Sequence, residues 1–229
     1  MRQTTNAPSF ILASLLASYP DEKFVENINL IFEDPDLDEL AKEIWPKVRD
    51  VIGSEGAVND LRSEYIGLFD RGKQVTSLYE TEYGRERAMV KGTELVDIAG
   101  FYRAFGLETG GEGVQAEMID HIAVELEFYS LLVMKNNVLS DSSSTDGVEI
   151  VIDARKKFLK NHLGRFVEAV CERPGVIESP FYSMVFKFCR DLVLQECQRL
   201  GVTVDPERWL SSQAELGDIS CGGSVGCLK

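Results

Sequence analysis

Glu117, His121 and Glu125 recur at four-residue intervals in the 114–134 stretch, with Asp120 beside them. On a helix that spacing sets two carboxylates on either side of one imidazole. Such a group could ligate a metal or move a proton. A metal site would need at least one more ligand from another element, and the Glu-x-x-His spacing of di-metal bundles is absent: Met118 and Val124 stand where that pattern would need other residues. His162 is the only other histidine, and nothing in the sequence places it near His121. Acid–base work would need a nucleophile or a cofactor motif, and none accompanies Asp120 and His121. The sequence therefore assigns no catalytic residue, no metal and no cofactor, and predicts a hydrogen-bonded histidine inside a helix bundle. A helical metal- or small-ligand-binding protein using the Glu117–His121–Glu125 face is the alternative.

The elements that must hold this group are helical throughout. Within 114–134, Met118, Ile122, Leu126, Tyr129 and Val133 step by three or four residues, and Ile119, Ala123 and Leu132 widen the apolar face, which predicts a deeply buried helix. Upstream, helices are predicted over 9–19, 21–32, 36–52, 54–71 and 85–105, punctuated by Pro20, Gly53, Gly72 and Gly106. Downstream, 140–147 (SDSSSTDG) reads as a polar loop and a candidate hinge, followed by helices over 148–171 and 180–200 and a short turn over 205–210. The β-branched VEIVI at 148–152 has no partner strand. The fold class is all-α, a single-domain bundle of roughly eight to ten helices over 1–215, with a Cys- and Gly-containing tail over 216–229.

Composition narrows the partners. The 229 residues are 44% hydrophobic and carry 38 acidic against 24 basic side chains, a net charge of -14. That balance argues against nucleic acid or an anionic membrane and suits a basic peptide or cationic ligand, with solubility alone as the alternative. No apolar run reaches the length of a membrane span. The N-terminal SFILASLLASY reads as the first core helix rather than a signal peptide, because serines interrupt it and acidic residues follow. Five scattered cysteines do not form a disulfide framework, which suits a reducing cytoplasm. Cys221 and Cys227, with five residues between them and no second pair, read as part of a flexible end. No phosphate-binding glycine motif is present.

A second candidate site lies earlier in the chain. Tyr65, Leu68 and Phe69 share a stripe on a helix that leads directly into SLYETEYG at 77–84, which mixes aromatic and acidic side chains including Tyr79 and Glu80. Aromatics beside acids on an irregular segment suit a basic, partly apolar peptide; a loop packed over the bundle is the alternative.

Four stretches resemble the TorD/DmsD/NarJ family of cytoplasmic chaperones for molybdenum enzymes. These are EYIGLFDRG at 64–72, SLYETEYGRERAMV at 77–90, DHIAVELEFYSLL at 120–132 and, more weakly, FLKNHLGRF at 158–166, where Phe166 replaces the family's usual Trp. The second is similar to the nitrate-reductase branch and its type II relatives, although the proline often found ahead of the Tyr-Glu pair is missing. The resemblance implies an all-helical chaperone that is not an enzyme. It would bind the apo-catalytic subunit of a DMSO-reductase-type molybdoenzyme, or its leader peptide, often of twin-arginine type, until the cofactor is inserted. By the same resemblance Tyr65, Leu68 and Phe69 with Asp120 and His121 would form or support the peptide groove, and Tyr79, Glu80 and Glu125 are further candidates. The expected state is a monomer or a dimer swapped at the 140–147 hinge.

Overall fold

The computed structural model describes residues 6–71, 76–84, 87–107, 118–142 and 144–205, and the side chains of all of these except 87–90. Among them run ten α-helices: α1 (Ala7–Ala17), α2 (Phe24–Phe32), α3 (Glu39–Ile52), α4 (Ala57–Tyr65), α5 (Arg87–Ala104), α6 (Ile122–Asp141), α7 (Thr145–Phe158), α8 (Gly164–Cys171), α9 (Pro174–Glu178) and α10 (Pro180–Leu200). The all-α class holds, and VEIVI lies inside α7 as expected.

Three helices make the centre. α1 is apolar or small all round and packs on both α6 and α10, burying Phe10, Leu12 and Leu16 completely. Each such side chain withdraws apolar surface worth about 1.5–3 kcal/mol. Ser9 on the same helix accepts the backbone N–H of Asp38, tying α1 to the start of α3. α10 begins where the sequence sets it: Pro180 occupies the first turn, and Ser179 Oγ accepts Tyr182 N–H at 2.9 Å. It ends at Gly201, whose φ of +65° is left-handed.

Two helices continue into π turns. α4 passes into Ile66–Asp70, closed by Arg71 N–H on Ile66 O at 2.7 Å, and α7 passes through Leu159–Leu163 into α8. The predicted 148–171 helix is thus two helices joined by a π turn. Gly164 follows that turn at close quarters, since a Cβ there would come within 2.4 Å of Leu159 O and 2.7 Å of Val204 Cγ2. Π turns often sit at functional sites, because the extra residue re-aims side chains.

The predicted 114–134 helix starts later than its periodicity suggests. It begins at Ile122, with His121 as N-cap and 119–120 in a turn, and runs on to Asp141. The polar stretch 140–147 is helical at both ends, so α6 and α7 are joined only around 142–144. Glu117, all of the predicted 205–210 turn after Asp205, Cys221 and Cys227 lie outside the described residues.

Candidate functional site

The residues before α6 do not extend the helix because their backbone is engaged elsewhere. Tyr79 and His121 form an antiparallel bridge; Glu80 N–H donates to Asp120 O at 2.8 Å and Ile122 N–H to Leu78 O at 2.9 Å. Asp120 locks this junction from inside: its Oδ2 accepts Thr81 Oγ1–H at 2.6 Å and Thr81 N–H at 3.2 Å. His121 caps the helix, its Nδ1 accepting Ala123 N–H at 3.2 Å. An accepting Nδ1 puts the ring proton on Nε2, which faces the Tyr65 hydroxyl at 3.5 Å.

In front of this junction opens a cavity of about 820 Å³. The π turn after α4 supplies Ile66, Phe69 and Asp70, with Tyr65 just ahead of it. The connector supplies Leu78 and Tyr79, and the α6 entry supplies Met118 and His121. Tyr19 and Asp21, between α1 and α2, complete it. Edge-to-face pairs knit the aromatic floor: Tyr19–Tyr65 at 5.5 Å, Tyr65–Phe69 at 5.0 Å and Tyr79–His121 at 5.2 Å. The carboxylates that line it, Asp21 and Asp70, are both exposed, and no lysine or arginine is among its described lining residues.

Of the residues singled out from sequence, Tyr65, Phe69, Tyr79 and His121 therefore meet at one cavity. Leu68, Glu80, Asp120 and Glu125 are not among the side chains lining it. Leu68 packs toward α9, where a Cβ on Gly175 would meet its Cδ2 at 3.3 Å. Asp120 lies fully buried behind the bridge. Glu80 turns away from the cavity into a second, wholly different cluster, in which His162 Nδ1 stands 2.9 Å from its Oε2 and Arg165 Nη2 lies 3.4 Å from its Oε1. The opposite ring nitrogen of His162 meets Asp97 Oδ2 at 3.0 Å. Sequence reasoning missed Tyr19, Asp21 and Asp70 as cavity residues, and it considered His162 only as a partner for His121, not for Glu80.

The proton inventory of that cluster follows from its surroundings. For His162, burial opposes the charged ring, but hydrogen bonds and charge from Glu80 and Asp97 outweigh it and lift its pKa above 6.5. Glu125 is pushed well above the usual carboxylate range, first by complete burial and then by the neighbouring Glu80 carboxylate. Neither Glu125 oxygen has a hydrogen-bond partner within 3.5 Å, yet Glu80 lies near enough to keep the proton on. For both groups the folded pKa exceeds the unfolded one, so the stability they confer is complete below their ordinary values of 6.5 and 4.5 and is lost as pH rises through the folded values. Glu125→Gln is accordingly expected to match the native protein in urea unfolding below pH 4.5 and to exceed it at pH 8. Equal stability at both pH values would refute the buried proton.

Among the described residues no group of three or more His, Cys, Asp or Glu side chains is arranged to hold a metal ion, and no helix is long and apolar enough to cross a membrane. Cys171, Cys189 and Cys197 are free thiols, and burial raises them all, Cys171 to about 12 and Cys197 to about 11, so none is a ready nucleophile.

The all-α scaffold thus opens an aromatic cavity at the entry to α6, with ionic clusters paired behind it. Residues 34–172, more than half of the chain, match the family model described as nitrate reductase delta subunit, and the chain belongs to that family of NarJ/TorD-like chaperones for molybdoenzyme maturation, a family of chaperones rather than enzymes. A crystal structure from Archaeoglobus fulgidus, of a protein assigned as a redox enzyme maturation protein, aligns with a TM-score of 0.51 at 24% identity, covering 82% of this chain and 93% of that one. At that identity the likeness speaks for the fold. No curated protein matches the chain.

Proposed function

We propose that the cavity between α1, the π turn after α4 and the entry to α6 holds the leader peptide of a DMSO-reductase-type molybdoenzyme. In the cytoplasm, the chaperone would keep the apo-catalytic subunit until its cofactor is inserted. The observation that carries this reading is the cavity's make-up, an aromatic floor with Asp21 and Asp70 as the carboxylates among its described lining residues. An apolar segment flanked by arginines matches both parts, the rings taking the apolar face and Asp21 and Asp70 the guanidinium groups. Arg71 reaches Asp70 at 3.5 Å, but that pair is solvent-exposed and readily exchanged for a ligand's cation.

The test is fluorescence anisotropy with a synthetic peptide carrying two arginines ahead of an apolar helix-forming segment. Asp21 and Asp70 are exposed, so the double variant Asp21→Lys/Asp70→Lys should fold normally. It is expected to bind at least about tenfold more weakly at low ionic strength, with the deficit shrinking as salt screens the charges. Unchanged affinity would remove the carboxylates from the recognition.

A further inference from the structure

The connector has two faces. Tyr79 lines the cavity, and the next residue, Glu80, is fully buried on the other side. Glu80 ties the two together, because its own N–H bonds Asp120 O within the bridge that pairs Tyr79 with His121. Near its carboxylate lies the completely buried carboxyl group of Glu125, which also feels the buried Asp120. A buried carboxylate is costly unless cations answer it. The answer comes from the second π turn and α8. His162 bonds Glu80 at 2.9 Å, and Arg165 lies 3.4 Å from both Glu80 and Glu94. From α5, Asp97 holds the far nitrogen of the imidazole at 3.0 Å. His162 is 1% exposed and does not line the aromatic cavity. It faces instead a separate polar cleft of about 420 Å³, together with Glu94, Asp97, Asn161 and Arg165.

We propose that His162 is a positioning residue for the aromatic cavity: through Glu80 it holds connector residues 79–81 against Asp120 and His121, and so sets the place of the Tyr79 ring without touching the occupant. Without it, the cation left to Glu80 is Arg165, at the longer distance of 3.4 Å. The relief open to the buried carboxylate is then outward movement of the Glu80–Glu82 turn, which would carry Tyr79 with it and unhook Thr81 from Asp120. Asp97 fixes the ring's orientation from the cleft side. The inference rests on the cavity being the peptide site, yet its first readout needs no peptide.

Amide hydrogen exchange of the full chain, followed by anisotropy with the same two-arginine peptide, tests it. In His162→Ala the Glu80 and Ile122 amides should exchange at least tenfold faster while the interior of α10 is unchanged, and peptide affinity should fall at least tenfold. His162→Gln, whose amide still donates to Glu80, should stay within threefold of the native protein in both. Leu163→Val is the control: it trims a buried neighbour on the same π turn and should leave affinity within threefold. Unchanged exchange in His162→Ala overturns the proposal. So does faster exchange with unaltered affinity, a His162→Gln that behaves like His162→Ala, or a Leu163→Val that loses as much binding. If the native protein does not bind the peptide at all, the peptide reading fails, and the exchange rates alone still decide whether His162 holds the connector.

Discussion

Replacing Glu196 with alanine is expected to lower the free energy of unfolding by about 3–5 kcal/mol, the usual cost of stranding one half of a buried ion pair. Glu196 is completely buried on α10 and serves four donors at once. Arg155 of α7 pairs with it through Nη2, Tyr129 of α6 donates its hydroxyl at 2.7 Å, and Arg199 adds two bonds at 2.8 and 2.9 Å. Asn6 donates from the start of α1 at 3.3 Å. The network therefore joins the three central helices and α7 at one carboxylate. Its loss leaves Arg155, 1% exposed, with a charge and no counterion, and the Tyr129 hydroxyl without its acceptor. For a chain of this size the change should appear as a fall of about 6–20 °C in Tm.

The pH dependence gives a second handle on the same residue. Burial alone would raise the Glu196 pKa, but the hydrogen bonds from Arg199 and the charges of Arg155 and Arg199 outweigh it and hold the group below 4.5. A depressed folded pKa contributes stability that is complete above 4.5 and disappears as pH falls through the folded value. The gap between native protein and Glu196→Ala, measured by urea unfolding, should thus narrow toward acid pH. A gap that stays constant from pH 7 to pH 3 would show that packing, not charge, sets the cost.

The parts of this fold that could be read from sequence are those decided locally. α10 was legible at both ends because Ser179-Pro180 starts a helix and Gly201 stops one, whatever surrounds them. The deep burial of α6 was legible because its apolar residues exceed one face. Its start was not, since the chain before Ile122 spends its hydrogen bonds on residues 78–81, about forty positions earlier, and periodicity carries no trace of such pairing. The π turns were equally hidden. Each inserts a residue into a helical stripe, and a period of 3.6 cannot announce where that happens. This is why Tyr65 and Phe69 point where the stripe predicts while Leu68 does not. His162 and Glu80 meet across eighty-two positions with no local signal beyond two ionisable residue types. The cavity was half legible for the same reason. Tyr65, Phe69 and Tyr79 cluster in sequence, whereas Tyr19 and Asp21 arrive from the link between α1 and α2.

Leu68 and Phe69, neighbours on the π turn, should respond differently to truncation. Phe69 has two duties. Its ring lines the cavity and also meets Tyr182 at 5.0 Å and Phe186 at 5.9 Å on α10, both edge to face. Phe69→Ala is expected to cost about 3–5 kcal/mol of stability, because it opens a void between the π turn and α10 that rigid neighbours cannot fill. Peptide affinity should fall with it, by at least about tenfold or 1.4 kcal/mol, since the floor beneath Tyr65 is gone. Leu68 is only partly buried and packs toward Gly175 and the 76–84 connector, so Leu68→Ala should cost less stability and leave peptide affinity within about twofold. To separate folding from recognition, anisotropy titrations are run at a temperature where urea curves show both variants folded, and Phe69→Leu is carried alongside. That variant keeps most of the buried volume and loses the ring edges, so it should recover most of the stability and only part of the affinity. Weaker binding in Leu68→Ala than in Phe69→Ala would move the peptide to the other side of the π turn, against α9.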